Sequence, residues 1–107
     1  METENVKIVV FVPESHADAV RQVLGELGAG KIGDYDFCSF SSKGTGRFRG
    51  NENTHPAVGK AGQYESVEEE RIEVLVPRKI LKEVIQKIKE VHPYEEVALD
   101  VYPILKI

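Results

Sequence analysis

The chain has 107 residues, of which 41% are hydrophobic and 30% are charged. This length fits one domain with one core, and the composition is too apolar for a disordered chain. No run of about 20 apolar residues is present to span a bilayer. The 14 basic and 18 acidic side chains give a net charge of -4, which opposes attraction to nucleic-acid phosphates. We therefore expect one domain over residues 1–107 that binds neither nucleic acid nor membranes.

The N-terminus and the cysteine content indicate the cell compartment. The sequence starts with acidic and polar residues, whereas a secretory signal begins with basic ones. Cys38 is the only cysteine, so a disulfide within the chain and a zinc site built on several thiolates are both excluded. We predict a cytoplasmic protein that is stabilised by packing or by oligomerisation.

Two elements are predicted in the first 28 residues. The run VKIVVFV at 6–12 is typical of a strand buried on both faces, and Pro13 ends it. A helix follows, with Ser15 as its predicted N-cap and Gly28 just past its end. Its apolar residues recur at helical spacing: Ala17, Val20, Leu24 and Leu27.

Four further elements follow in chain order. The segment YDFCSFSS at 35–42 predicts a second strand that contains Cys38 as a buried, inert thiol. Alternation in VEEERIEVLVP at 67–77 predicts a half-buried third strand. Residues 78–91 form the clearest amphipathic helix, and alternation at 97–102 predicts a last strand. The acidic run within 65–73 is interpreted as a solvated face or a charged patch between subunits.

The element order is therefore β-α-β-β-α-β. Two helices on one face of a four-stranded antiparallel sheet form the split βαβ, or ferredoxin-like, arrangement, and right-handed crossovers leave few alternatives. We predict this α+β fold.

The segment at 41–66 fits neither period and is longer than the roughly 12 to 15 residues usual for a structureless loop. Within it, KGTGRFRG resembles a phosphate cradle, because Gly44 and Gly46 free the backbone while Arg47 adds positive charge. The spacing matches neither of the standard nucleotide-binding fingerprints. A glycine-rich hairpin and an anion-binding loop both remain open.

A second polar cluster lies in HPYEEVALDVYPI, where His92, Tyr94 and Glu95 are nearly adjacent. One interpretation is a histidine at a helix C-terminus that contacts the last carbonyls, and the other is a corner that attracts a cation. His55, also before a proline, is the other candidate histidine. A divalent metal ion on His55, His92 and Glu95 would require the fold, or several subunits, to bring them together.

These two segments carry a family resemblance. GTGRFRG, HPAVGKAGQYESVEEERIEVLVP and HPYEEVALDVYPI resemble the inserted domain of the YqfO or Nif-three-like proteins, over most of the chain from about 6 to 104. That domain is similar to CutA and to the nitrogen-regulatory PII proteins, so the resemblance implies the same fold and, by analogy, a trimer. It also implies that the family's two-metal centre lies outside this segment. In PII proteins a long loop after the second strand and clefts between subunits bind effectors.

Three hypotheses follow for function. The first is a non-enzymatic oligomer that binds a ligand or metal ion at subunit clefts through Gly44, Gly46, Arg47, His55, His92, Tyr94 and Glu95. The second is an interaction module that binds a protein partner and no small molecule. The third, drawn from two-domain relatives, is a hydrolase of nucleotide-like or phosphorylated substrates.

Overall fold

The computed structural model describes residues 4–105. Its strands are β1 (Asn5–Pro13), β2 (Phe40–Phe48), β3 (Glu65–Pro77) and β4 (Leu99–Pro103). Its helices are α1 (Glu14–Glu26) and α2 (Leu81–Val91), and a short 3₁₀ turn (Arg78–Ile80) precedes α2. None of the helices that the structure describes has the length and apolar character needed to cross a membrane.

The four strands form one sheet in the order β2-β3-β1-β4, and every neighbouring pair is antiparallel. Both helices lie on one face of the sheet. The alternate residues of β1 and β3 that point to this face are buried against α1 and α2. The predicted ferredoxin-like fold is therefore confirmed. The other face, which we call the open face, carries Phe11, Phe40, Glu69, Arg71 and Tyr102.

The core lies between the sheet and the two helices. Ile8, Val10 and Ile72 supply the sheet side, and Val20 and Ile88 the helix side, each fully buried. Burying a side chain of this size contributes about 1.5–3 kcal/mol, so these few contacts outweigh the weak ion pairs of the surface. The periodic apolar residues that predict β1, α1, β3 and α2 form the faces that pack into this core.

The predicted cap of α1 is wrong, while its predicted end is right. Pro13 occupies the N-cap position without a side-chain hydrogen bond, and the Ser15 hydroxyl instead contacts His16 Nδ1 at 2.8 Å. Gly28 follows the helix with φ of 96°, the left-handed conformation that glycine adopts without a Cβ penalty.

The second strand is displaced from its predicted position. β2 starts at Phe40, so Cys38 lies outside it and is partly exposed, not buried in a strand. The segment before β2 forms a closed loop, in which the Cys38 N–H donates to the Gly30 carbonyl at 2.8 Å. Phe37 adopts φ of 55° and its ring lies against Gly25, where a side chain would occupy the same space.

The glycine-rich segment at 41–66 is strand at both of its ends. β2 runs through Gly44 and Gly46, which lie opposite Glu69 and Val67 of β3, so only residues 49–64 connect the two strands. The hairpin interpretation is thus the one the structure supports. The predicted phosphate cradle is not formed, because these two glycines are extended strand residues and not part of a turn.

The last strand is shorter than predicted. β4 begins at Leu99, and Val97 precedes it while still packing against the core. The predicted helix at 78–91 has its first three residues in the 3₁₀ turn.

Candidate functional site

A cleft forms at one end of the sheet, where the β2–β3 hairpin continues past β1. Pro13, the last residue of β1, pairs with Glu69, so residues 65–68 of β3 pair only with β2. The segment at 94–98 lies beside this projecting end, held where the Phe11 N–H donates to the Ala98 carbonyl at 3.1 Å. Between the hairpin and this segment is a cleft of about 280 Å³.

His92 fixes one wall of the cleft. Pro93 disfavours helical geometry in the residue before it, and His92 accordingly leaves α2 in an extended conformation. Its Nε2 lies 2.7 Å from the Phe11 carbonyl oxygen, and its Nδ1 lies 3.2 Å from the Tyr94 backbone N–H. Both contacts are hydrogen bonds only when the ring is neutral with its proton on Nε2. The ring therefore ties the end of β1 to the start of the 94–98 segment.

Burial lowers the pKa of His92, against the opposing influence of the Phe11 carbonyl and the nearby Glu69 carboxylate. Only 6% of the residue is exposed. The structure thus favours a structural histidine, although its ring contacts a strand carbonyl of β1 and not the last carbonyls of α2.

Tyr94 and Glu69 form the polar centre of the cleft. The Tyr94 hydroxyl donates to Glu69 Oε2 at 3.0 Å, and the Tyr94 ring lies 5.0 Å from the His92 ring and 5.9 Å from the Phe48 ring. Burial, followed by the hydrogen bond to Glu69, raises the pKa of Tyr94 to about 12. The hydroxyl consequently remains a proton donor at neutral pH.

Glu69 occupies space that Gly46 leaves free. A Cβ built on Gly46 would overlap the Glu69 carboxyl group, so a larger residue there would push that group aside. Glu69 is only 9% exposed. Glycine is therefore needed at position 46 because the Glu69 side chain lies close to the backbone of β2, and not because the backbone must be flexible.

The connecting loop closes the rim through Glu95. Glu95 Oε1 accepts the backbone N–H of His55 at 2.8 Å, while its Oε2 lies 3.9 Å from His55 Nδ1. The His55 side chain is 91% exposed. The loop also folds on itself, since Asn51 Oδ1 accepts the Asn53 N–H at 2.9 Å. Glu95 thus couples the loop to the 94–98 segment.

Two arginines add positive charge to the cleft. Arg47 and Arg49 both line it from exposed positions of the hairpin. The Arg49 guanidinium lies 5.0 Å from the centre of the Tyr64 ring, a cation–π contact within the hairpin. Within residues 4–105, no salt bridge joins either arginine to a cleft carboxylate.

The structure brings together most of the residues predicted from the two signature segments. Gly46, Arg47, Tyr94 and Glu95 line the cleft, and His55 lies at its rim. His92 lies behind Tyr94. Gly44 does not line the cleft, but it lines an adjacent, smaller depression of about 210 Å³ on the open face, which Glu69 also lines.

The predicted metal ligands do not converge within one chain. His55 and Glu95 touch, but both ring nitrogens of His92 already form hydrogen bonds. Among the described residues there is no group of three or more His, Cys, Asp or Glu side chains arranged to hold a metal ion. The set of His55, His92 and Glu95 is therefore not formed in the subunit itself.

Sequence reasoning missed Glu69 and Phe48. Glu69 stands in an acidic run that indicates a solvated face, and its neighbour Glu70 instead binds Arg21 at 2.6 Å. Strand alternation places Glu69 and Glu70 on opposite faces, which is the signal that separates them. Burial of Glu69 depends on Tyr94, 25 residues away, and no local pattern reports that contact.

No family model matches the chain, but individual proteins do. It is 50% identical over 98 residues to the GTP cyclohydrolase 1 type 2 homolog of Halalkalibacterium halodurans. This alignment covers 92% of this chain and 26% of that protein. The protein of the same name from Bacillus subtilis is 44% identical, with the same two coverages. Among solved structures, a Bacillus cereus protein related to NIF3 has a TM-score of 0.78 and 48% identity over 97% of this chain and 26% of that chain.

More distant structures share the fold alone. The periplasmic divalent cation tolerance protein CutA from Archaeoglobus fulgidus has a TM-score of 0.69 and 18% identity, over 95% of this chain and 85% of that chain. The B. subtilis GlnK–ATP complex has a TM-score of 0.63 and 18% identity, over 97% of this chain and 84% of that chain.

The distant structures show that the chain is a domain with the CutA-like and PII-like fold. Its cleft lies at the hairpin end of the sheet. The predicted family resemblance is also confirmed. In sequence the chain is homologous to one segment of the YqfO and NIF3 family proteins. It spans about a quarter of the length of the curated relatives it matches.

Proposed function

We propose that this chain is a non-enzymatic, homo-oligomeric module that binds a small ligand in the cleft between the hairpin end and the 94–98 segment. One observation carries the proposal: segments far apart in sequence, 46–57 and 94–98, converge there around a buried carboxylate. A mostly apolar cleft with a few convergent polar groups is the usual form of a ligand site.

Oligomerisation would complete the cleft. β2 forms one edge of the sheet, and its residues from Gly46 to Phe48 line the cleft. A second copy lying along that edge would cover the side of the cleft that faces solvent. The family resemblance leads us to expect a trimer with ligands between its subunits.

A divalent metal ion remains a variant of this proposal. His55 and Glu95 would supply two donors from one subunit, and further donors would come from another. His92 would hold the cleft wall and would not bind the ion. The name of the relatives refers to a cyclohydrolase, but it describes proteins about four times as long as the aligned segment. Hydrolysis by this chain stays a prediction.

A second candidate function is an interaction module. Phe40 and Tyr102 are 67% and 48% exposed on the open face, which the helices leave uncovered. Exposed aromatic side chains on one face are typical of protein contacts. On this hypothesis the hairpin and the 94–98 segment build an assembly and bind no small molecule.

Native mass spectrometry of the freshly purified full chain separates the two functions. We expect an oligomer that carries added small-molecule mass. Ala98→Phe, which fills the cleft, should abolish the added mass and preserve the subunit number, because Ala98 lines the cleft. Ala19→Phe is the matched control on the exposed surface of α1.

The outcomes point in different directions. Added mass that disappears on treatment with a chelator indicates the metal variant. An oligomer without added mass, or one whose added mass survives Ala98→Phe, contradicts ligand binding in the cleft and favours the interaction module.

A further inference from the structure

We infer that the cleft selects a flat, positively charged ligand, a one- or two-ring molecule with an amidine-like pair of N–H donors, and that Glu69 is the residue that binds it. This inference rests on the proposed ligand-binding function and names the chemistry of the ligand.

Glu69 is a buried acidic group without a cationic partner in its own subunit. Its Oε2 accepts the Tyr94 hydroxyl, and no Lys, Arg or His side chain of residues 4–105 forms an ion pair with it. Burying a carboxylate is costly unless a charge of opposite sign accompanies it. A cationic ligand would supply that charge.

The second oxygen of Glu69 is available to a ligand. No hydrogen bond to Oε1 is formed by the described part of the chain, whereas Oε2 is engaged by Tyr94. Gly46 carries no side chain to cover the carboxyl group. Two parallel N–H donors match a carboxylate in the paired geometry that arginine uses, which adds direction as well as strength.

The walls around Glu69 suit a planar ring. Phe48 and Tyr94 present ring surfaces tilted by 59° to each other, and Pro56, Ala57 and Ala98 complete a largely apolar lining. A volume of about 280 Å³ is at the small end of ligand pockets and fits one or two rings. Aromatic faces also attract a cation that lies against them.

The arginines do not reverse this charge preference. Arg47 and Arg49 are exposed, so water and salt screen them, while the buried Glu69 interacts through a medium of lower dielectric constant. The lining also contains Glu95 and Glu96, so its carboxylates outnumber its guanidinium groups. The charge that a ligand meets at depth is negative.

Two probes of equal shape and opposite charge test the inference. Benzamidinium and benzoate would each be titrated into the isotope-labelled full chain, and backbone amide shifts followed by NMR. We expect benzamidinium to shift the amides of Gly46, Tyr94 and Ala98 with a dissociation constant of about 1 mM, as befits a small fragment. Benzoate should leave these amides unchanged.

Two variants test which carboxylate binds benzamidinium. Glu69→Gln keeps the size of the side chain and an acceptor for Tyr94, and should weaken benzamidinium binding at least tenfold. Glu68→Gln removes the same charge from an exposed neighbour that contacts Thr45, and should leave binding unchanged. Should Glu69→Gln fail to fold, the comparison of the two probes on the natural chain still decides.

Failure of this inference differs from failure of the proposed function. Benzoate binding as tightly as benzamidinium, or benzamidinium binding that Glu69→Gln leaves intact, overturns the ligand chemistry and keeps the cleft as a binding site. If neither probe shifts the cleft amides, the ligand chemistry is wrong. If native mass spectrometry then also finds no added mass, the proposed function is wrong too.

Discussion

Gly44 and Gly46 lie two positions apart in β2 and point to the same face of the sheet, yet their surroundings differ. A Cβ on Gly46 would meet the Glu69 carboxyl group, whereas a Cβ on Gly44 would meet nothing within 4 Å. Both residues have backbone conformations outside the left-handed region. Gly46 is therefore required because of its contact with Glu69, whereas no such contact restricts Gly44.

Alanine at these two positions should have different effects on stability. Gly46→Ala should lower the free energy of unfolding by about 1–2 kcal/mol, because Glu69 would be displaced from the Tyr94 hydroxyl while still largely buried. Gly44→Ala should leave it unchanged or raise it by up to about 1 kcal/mol, since alanine restricts the unfolded chain. Urea unfolding of both variants measures the difference, and equal destabilisation would show that Glu69 is not held as described.

His92 should make stability depend on pH. Its folded pKa is lowered by burial from the ordinary 6.5, so the unfolded chain takes up a proton at higher pH than the folded chain does. The contribution of His92 to the free energy of unfolding is thus complete above pH 6.5 and is lost as the pH falls through the folded pKa. Glu69 facing the ring opposes this shift, and His16 adds to it.

His92→Gln should remove this dependence between pH 7 and pH 5, and should cost about 1–3 kcal/mol at pH 7 through the lost hydrogen bonds. Urea unfolding at several pH values measures both effects. His55→Gln is the control, because the His55 side chain is exposed. An unchanged slope in His92→Gln would contradict the assignment.

At the scale of whole elements, the sequence predicts best where side-chain burial is periodic. β1, α1, β3 and α2 each present a face to the core, and the same hydrophobic spacing that reveals the face predicts the element. The antiparallel order then follows from the few allowed connections.

The sequence pattern predicts β2 too early, because the pairing of β2 with β3 leaves little periodicity in the burial of its side chains. It is an edge strand with mostly exposed residues, and its glycines suggest a loop, although the backbone pairs with β3 over nine positions. Strand preference of this kind depends on neighbours and not on the residue itself. Of the aromatic residues before β2, Phe37 instead places its ring against Gly25 near the end of α1.

The cleft was predictable in part. Four residues that the signature segments predict as site residues line the cleft: Gly46, Arg47, Tyr94 and Glu95. Their meeting depends on how far the hairpin extends past β1, which is a tertiary property. Glu69 and the tautomer of His92 likewise follow from contacts between distant segments, so spacing along the chain does not report them.

At the scale of the whole molecule, the projecting hairpin makes the chain elongated, with principal extents of 46 × 26 × 22 Å. It leaves the edge of β2 and the open face uncovered by the chain's own helices. An exposed sheet edge and exposed aromatic side chains are features that association buries. The end of β2 from Gly46 to Phe48 lines the cleft, so a second copy lying along that edge would also enclose a bound ligand.

We expect a trimer at micromolar concentration, and Phe40→Glu should weaken it at least tenfold. The new carboxylate would lie on the open face beside Glu73, its partner in the strand register, and would resist burial. Tyr64→Glu, at a residue 81% exposed at the end of the connecting loop, is the control. Light scattering after size-exclusion chromatography measures the subunit number, and a monomeric natural protein would overturn the expectation.

Because β2 starts after Cys38, the thiol of this residue can be labelled. Cys38 lies on the connection between α1 and β2, partly accessible and away from the cleft lining, and it is the only cysteine in the sequence. A nitroxide spin label could therefore be attached to the natural chain at a single position. In a three-fold symmetric assembly every label would be equidistant from the other two, so pulsed dipolar spectroscopy would give one interspin distance and a direct count of coupled spins.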